Sequence, residues 1–275
     1  MIKILRLIRN LLKCLKRGSA PVQVSINQIQ YDKMYENKNI LITGGTSGIG
    51  LSIAKKFLSL GAKVTITGRD INRLNGIKEE INDSNLFVVE WDISKQDLIS
   101  KKVDESIIKM GSIDILFNNS GIYSPKSFFD TDEKLFDNIM DTNLKGLYFT
   151  SKKIAEYFIQ NKIKGKIINI SSITSITGAS IPYGVSKWGV RGVTQGLARD
   201  LIKYGIIVNA IAPGVVATAI NPELSASENM YRAGALSQRA STPEEIAEIA
   251  VFLSSEAATN IIGQTIVCDG GETLI

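Results

Sequence analysis

Tyr183 and Lys187 stand four residues apart in Tyr183-Gly184-Val185-Ser186-Lys187, which puts both side chains on one face if the segment is helical. An ammonium beside a phenol favours the phenolate and lowers the phenol's pKa from ~10 towards neutrality, making a proton donor and acceptor. Such a pair matters here because the chain contains no histidine. Acid–base work near neutral pH then falls to a carboxylate, lysine, tyrosine, cysteine or water. Ser–His–Asp and Cys–His nucleophiles are excluded, as are metal sites that need imidazole. The two cysteines, Cys14 and Cys268, sit at opposite ends of the chain and form neither a disulfide framework nor a ligand spacing. No metal is expected. By itself Tyr-x-x-x-Lys is a common helix-surface pair, so its meaning depends on what surrounds it.

A second chemical feature lies upstream. Ile40, Leu41 and Ile42 form a short apolar run, followed at once by Thr43-Gly44-Gly45-Thr46-Ser47-Gly48-Ile49-Gly50. Ile53, Ala54, Phe57, Leu58 and Leu60 then recur at helical spacing up to Gly61, and Lys63 to Thr67 reads as the next strand. Glycines between a strand and a helix let the backbone approach a pyrophosphate, which the helix N-terminus attracts through free N–H groups and positive partial charge. The spacing is neither G-x-G-x-x-G nor a P-loop. At the tip of the second strand stand Gly68 and Arg69, where a NAD enzyme usually places a carboxylate for the ribose hydroxyls. A guanidinium there suits a 2′-phosphate, so NADP is favoured and NAD is the alternative. Read blandly, Arg69 is a solvated loop charge and Asp70 caps the next helix.

Strand and helix signals keep alternating. Strands are read at Leu86–Glu90, Ile113–Phe117, Lys166–Ile170, Ile206–Ile211 and Thr265–Cys268. Helices are read at Leu98–Met110, Leu135–Tyr157, Tyr183–Tyr204 and Pro243–Leu253. This order predicts an α/β fold, a doubly wound, Rossmann-like parallel sheet, as a single domain over residues 38–275. Residues 1–18 read as a basic amphipathic helix and residues 19–37 as a polar linker. Lys3, Arg6, Arg9, Lys13, Lys16 and Arg17 supply six positive charges against a net +5 for the whole chain, so the remainder is close to neutral and no nucleic-acid surface is expected. The segment lacks the uninterrupted apolar run of about 20 residues that crosses a bilayer. Peripheral contact with an anionic membrane is one reading of it, and docking on the parent domain or a second subunit is the other.

Taken together, Thr43 to Gly50, Asn118-Asn119-Ser120-Gly121, Asn143, Ser172, Tyr183, Lys187 and Pro213-Gly214 resemble the short-chain dehydrogenase/reductase family, from about Lys38 to Gly271. In Arg239 to Ala247 and Gly263 to Gly271 the chain looks most like bacterial β-ketoacyl carrier-protein reductases. The resemblance implies an NAD(P)(H)-dependent oxidoreductase, most simply an NADPH-dependent carbonyl reductase. Tyr183 would be the general acid–base, Lys187 its helper and ribose ligand, Ser172 the donor to the substrate oxygen, and Asn143 the holder of a relay water. Gly44, Thr46, Ser47, Gly48, Ile49 and Gly50 would line the pyrophosphate loop. Asp92 and Ile93 would flank the adenine, and Asn118, Asn119 and Gly121 would lie beneath the ribose, Asn118 equally as sheet support. Pro213, Gly214, Val216 and Thr218 would meet the nicotinamide. An NAD-dependent alcohol or sugar dehydrogenase, or a non-catalytic binding protein on the same fold, are the competing readings. The resemblance further implies a cytoplasmic homodimer or homotetramer acting on a small carbonyl or alcohol. Ser172 and Tyr183 are eleven residues apart, a shorter loop than is usual in the family, on the substrate side.

Overall fold

The computed structural model describes residues 34–274 apart from 222, 226 and 228. The expected basic helix at 1–18 lies outside the described residues. Seven parallel strands form one sheet in the order β3-β2-β1-β4-β5-β6-β7. They are β1 (Asn39–Thr43), β2 (Lys63–Gly68), β3 (Leu86–Glu90), β4 (Ile115–Asn118), β5 (Lys166–Ile170), β6 (Ile207–Pro213) and β7 (Thr265–Cys268). The expected doubly wound, Rossmann-like architecture is what the chain adopts.

Burial on both faces explains the strands' near-continuous apolar character. In β1, Ile40 and Ile42 face one core while Leu41 faces the other, as the two-residue period of a strand requires. The first core lies under α1 (Gly48–Ser59), α2 (Ile71–Ile81) and α7 (Pro243–Ser254). The second lies under α3 (Ile99–Met110), α5 (Gly146–Gln160) and α6 (Pro182–Leu201). Two helices have clear start signals. Asp70 caps α2 by accepting from the N–H groups of Asn72 and Arg73, and Thr242 with Glu245 forms a reciprocal capping box on α7.

The stretch read as one helix, Leu135–Tyr157, is interrupted. α4 (Glu133–Met140) passes into a wide π turn, Asp141–Lys145, and only then into α5. Such a turn inserts a residue and re-aims the side chains on it, and Asn143 is one of them.

The folded domain also takes in more chain than expected. Tyr35, inside the stretch read as linker, is 3% exposed, packs edge-on against Phe57 at 4.7 Å, and donates its hydroxyl to the Val251 carbonyl at 2.7 Å. Its ring closes the first core between α1 and α7. Tyr35→Ala is expected to cost about 3–5 kcal/mol, whereas Tyr35→Phe, which loses only the hydroxyl, costs about 1 kcal/mol. Urea unfolding of the two variants measures the difference.

Candidate active site

Each strand that carries a motif delivers it at its C-terminal end. The order reverses between β1 and β4, and parallel sheets bind ligands in the crevice outside the strand tips at such a point. A cleft of about 400 Å³ opens there. It is lined by Gly44 and Thr46 to Ile49 after β1, Gly68 and Arg69 after β2, and Trp91 to Ile93 after β3. Asn119 to Ile122 follow β4, Ser171 and Ser172 follow β5, and Pro213, Gly214, Val216 and Thr218 to Asn221 come from β6 and the segment beyond it.

The loop after β1 is shaped for a close approach. Gly44 has φ +69°, and any side chain there would meet Ser120 at 2.9 Å. Gly50 leaves no room either, since a Cβ would lie 2.4 Å from Asn119 Nδ2 and 2.5 Å from the Gly44 carbonyl. Asn119 explains the crowding. Its Nδ2 donates to the carbonyls of Thr43 and Gly44 at 3.1 and 2.7 Å, tying the glycine loop to the β4 tip. Ser47 sits at the N-cap of α1 with no hydrogen bond from its own side chain to the helix. Ser47, Gly48 and Ile49, at the start of α1, line the cleft at a glycine turn, an arrangement suited to a phosphate.

At the β2 tip the absence of a carboxylate has a steric cause. A side chain on Gly68 would meet Thr46 Cγ2 at 2.6 Å. Arg69 lines the cleft just beyond it, and so does Arg73 from the first turn of α2. Asp70 serves as the cap while Arg69 lines the cleft, so the two readings of this turn hold together. Asp92 lines the cleft too, although one of its oxygens is engaged by the backbone N–H and hydroxyl of Ser94 at 3.1 and 2.7 Å.

At the other end stand the acid–base groups. Tyr183 and Lys187 lie in the first turns of α6, which begins at Pro182, and both line the cleft with Ser172. Lys187 Nζ lies 5.5 Å from the centre of the Tyr183 ring and donates to the Ile170 carbonyl at 2.8 Å. Burial alone brings its pKa down to about 8. For Tyr183, burial pushes the pKa up, a hydrogen bond with Ser172 opposes the rise, and Tyr123 adds to it. Lys187 is not among the causes, its ammonium being aimed at the Ile170 carbonyl. A raised pKa keeps the phenol protonated at neutral pH, which is the form that donates.

Asn143 does not line the cleft. From the π turn its Oδ1 accepts from the Ile122 N–H at 2.8 Å, and its Nδ2 donates to the Ile122 carbonyl at 3.0 Å and to Ser186 Oγ at 3.2 Å. It holds the chain after β4 against α6. Asn118 is also set back, donating through Nδ2 to Ser151 and Asn169, both at 2.8 Å, so it supports the sheet. Gly50 contributes clearance behind the loop. The other expected positions all line the cleft. Arg73, Trp91, Ser120, Ile122, Thr142 and Ile220 line it without having been foreseen. Only Arg73 had a usable signal, a second basic residue four positions after Arg69.

A family model described as Enoyl-(Acyl carrier protein) reductase matches residues 44–273. A solved structure described as a short-chain dehydrogenase/reductase family protein superposes with TM-score 0.78 at 33% identity, over 88% of this chain and 100% of that one. The chain belongs to the short-chain dehydrogenase/reductase family. It is an oxidoreductase of that nicotinamide-dependent family. Among curated relatives of this chain, glucose 1-dehydrogenase of Gluconobacter oxydans (strain 621H) is 33% identical over 252 residues, 89% of this chain and 95% of the relative. The 3-oxoacyl-(acyl-carrier-protein) reductase FabG of Chlamydia muridarum (strain MoPn / Nigg) is 34% identical over 241 residues, 86% of this chain and 97% of the relative. A structure described as ElxO with NADP bound gives TM-score 0.80 at 31% identity, covering 86% and 99%.

Proposed function

We propose that this short-chain dehydrogenase/reductase is an NADPH-dependent carbonyl reductase in which Tyr183 is the proton donor. The observation that carries the reading is that the Tyr183 phenol and Ser172 line one strand-tip cleft together with a buried Lys187. The glycine-bound loop, the side chain excluded at Gly68 and the two guanidinium groups fit a dinucleotide with a 2′-phosphate. NAD is the alternative, and Arg69 with Arg73 argues against it. The bound nicotinamide supplies the hydride. The chain supplies everything else: Tyr183 gives its proton to the carbonyl oxygen and Ser172 hydrogen-bonds that oxygen as charge develops on it. Lys187, 5.5 Å from the centre of the Tyr183 ring, holds positive charge beside the phenol and would hold a ribose hydroxyl, while Asn143 fixes the backbone at Ile122.

The matching family model is described as an enoyl reductase, whereas relatives named glucose 1-dehydrogenase and 3-oxoacyl-(acyl-carrier-protein) reductase act at carbon–oxygen bonds, so the bond is chosen on the site itself. The hydroxyl groups of Ser172 and Tyr183, lining the same cleft, suit a nascent alkoxide. A non-catalytic role is disfavoured because Ser172, Tyr183 and Lys187 meet in one cleft.

The pH dependence follows from Lys187. With its pKa lowered to about 8, the ammonium is charged below that value and neutral above it. Reduction is expected to be flat on the acid side and to fall as pH rises through about 8, with Tyr183 still protonated there. A kcat/KM profile checks this, and Lys187→Arg, which keeps its charge, should carry the falling limb to higher pH.

We extend the proposal to assembly and location. Half-exposed Tyr148, Phe149, Val185 and Trp188 on α5 and α6 favour a homodimer or homotetramer through that face. No helix among the described residues is long and apolar enough to cross a membrane. Cytoplasmic placement, with residues 1–18 as a peripheral contact for anionic lipid, remains part of the same proposal, and co-sedimentation with anionic vesicles before and after their deletion tests it.

A further inference from the structure

Charge is distributed unequally along the cleft. Arg69, Arg73 and Asp92 line the end formed by β2 and β3. Among the described residues that line the end formed by β4, β5 and β6, Lys187 is the charged one, and its ammonium is engaged by the Ile170 carbonyl. The polar group of Asn221 there is also in use, its Nδ2 donating to the Val216 carbonyl at 2.9 Å. Among the described residues, a carboxylate next to the reacting carbonyl would find no free cation there.

Beside Tyr183, though not itself among the residues lining the cleft, stands an aromatic ring. The Tyr123 ring stands edge-on to Tyr183, with centres 5.2 Å apart and planes at 89°. It is 45% exposed, so part of the ring remains available. It is presented from a fixed backbone, because both polar backbone groups of its neighbour Ile122 are held by Asn143. Ile220, which lines the cleft and is 56% exposed, adds apolar surface from the segment after β6.

We propose that the substrate is an uncharged carbonyl compound bearing a flat apolar group, and that Tyr123 is the residue that selects it by packing against that group. The assignment rests on the carbonyl-reductase reading above. It makes Tyr123 a specificity-determining residue and not only a brace for Tyr183. A brace would alter all substrates alike, whereas a packing surface alters their ratio.

Three probes separate these roles: methyl benzoylformate, which has the ring and no charge; methyl pyruvate, which lacks the ring; and benzoylformate, which has the ring and a carboxylate. NADPH-dependent kcat/KM is measured for each with the parent protein, Tyr123→Ala and Tyr123→Phe, alongside NADPH affinity by fluorescence. Methyl benzoylformate should exceed methyl pyruvate by roughly three- to tenfold, the usual worth of an aromatic contact. Tyr123→Ala should abolish that ratio, Tyr123→Phe should keep it, benzoylformate should be the poorest of the three, and NADPH affinity should not move. A ratio that survives Tyr123→Ala, or a preference for benzoylformate, overturns the assignment while leaving the carbonyl reductase intact. Absence of NADPH oxidation with all three overturns the reductase reading, and this one with it.

Discussion

Tyr183→Phe is expected to lower kcat for carbonyl reduction by about a thousandfold, within the usual range for removing a positioned general acid. The substitution deletes one oxygen and keeps the ring, so the edge-on contact with Tyr123 and the start of α6 at Pro182 survive. NADPH affinity should change little, because the glycine loop and the two arginines are untouched by the substitution. The expected signature is a fall in kcat with a preserved dinucleotide Kd, read from steady-state kinetics and fluorescence titration. Ser172→Ala should fall less, since it removes a hydrogen bond to the developing alkoxide but no proton source. Equal rates for Tyr183→Phe and the parent protein would remove the phenol from the chemistry.

The second large effect concerns cofactor choice. Replacing both Arg69 and Arg73 by Ala should weaken NADPH binding by about a hundredfold, and either alone by roughly tenfold, as lost charge-assisted contacts to a phosphate would. NADH has no 2′-phosphate and should bind the double variant about as it binds the parent. Calorimetry with both dinucleotides therefore reads a ratio in which unrelated losses of stability cancel. Arg73 is the sharper test of the two. Its backbone N–H is used by the Asp70 cap, but its guanidinium lines the cleft. A single variant that leaves NADPH affinity unchanged would reduce Arg73 to a surface charge.

Those two effects draw on different kinds of information. The glycine loop, the strands and the Tyr-Lys pair were legible because each depends on local spacing: a period of two for strands, three to four for helices, and glycine where a turn must tighten. What stayed hidden depends on distant partners. The π turn at Asn143 is fixed by bonds to Ile122 and Ser186, residues 21 and 43 positions away, and no proline or glycine inside Asp141–Lys145 marks it. Tyr35 sits in a polar stretch, and only its contacts with Phe57 and Val251 place it in the core. From sequence Asn118 reads as a ribose neighbour, with sheet support nearly as strong a reading, and its bonds to Ser151 and Asn169 favour the sheet. The direction in which burial pushes the phenol's pKa is a property of the assembled cleft and not of a four-residue spacing.

The account stands or falls on direct transfer from the dinucleotide to a carbonyl carbon beside Tyr183. NADPH carrying deuterium in both C4 positions, incubated with the protein and methyl benzoylformate or methyl pyruvate in ordinary water, tests this through mass spectrometry of the alcohol. The parent protein should yield alcohol with one deuterium on its carbinol carbon for each NADPH consumed, and Tyr183→Phe should form it about a thousandfold more slowly. Alcohol without deuterium, or labelled alcohol formed equally fast by Tyr183→Phe, would contradict the mechanism.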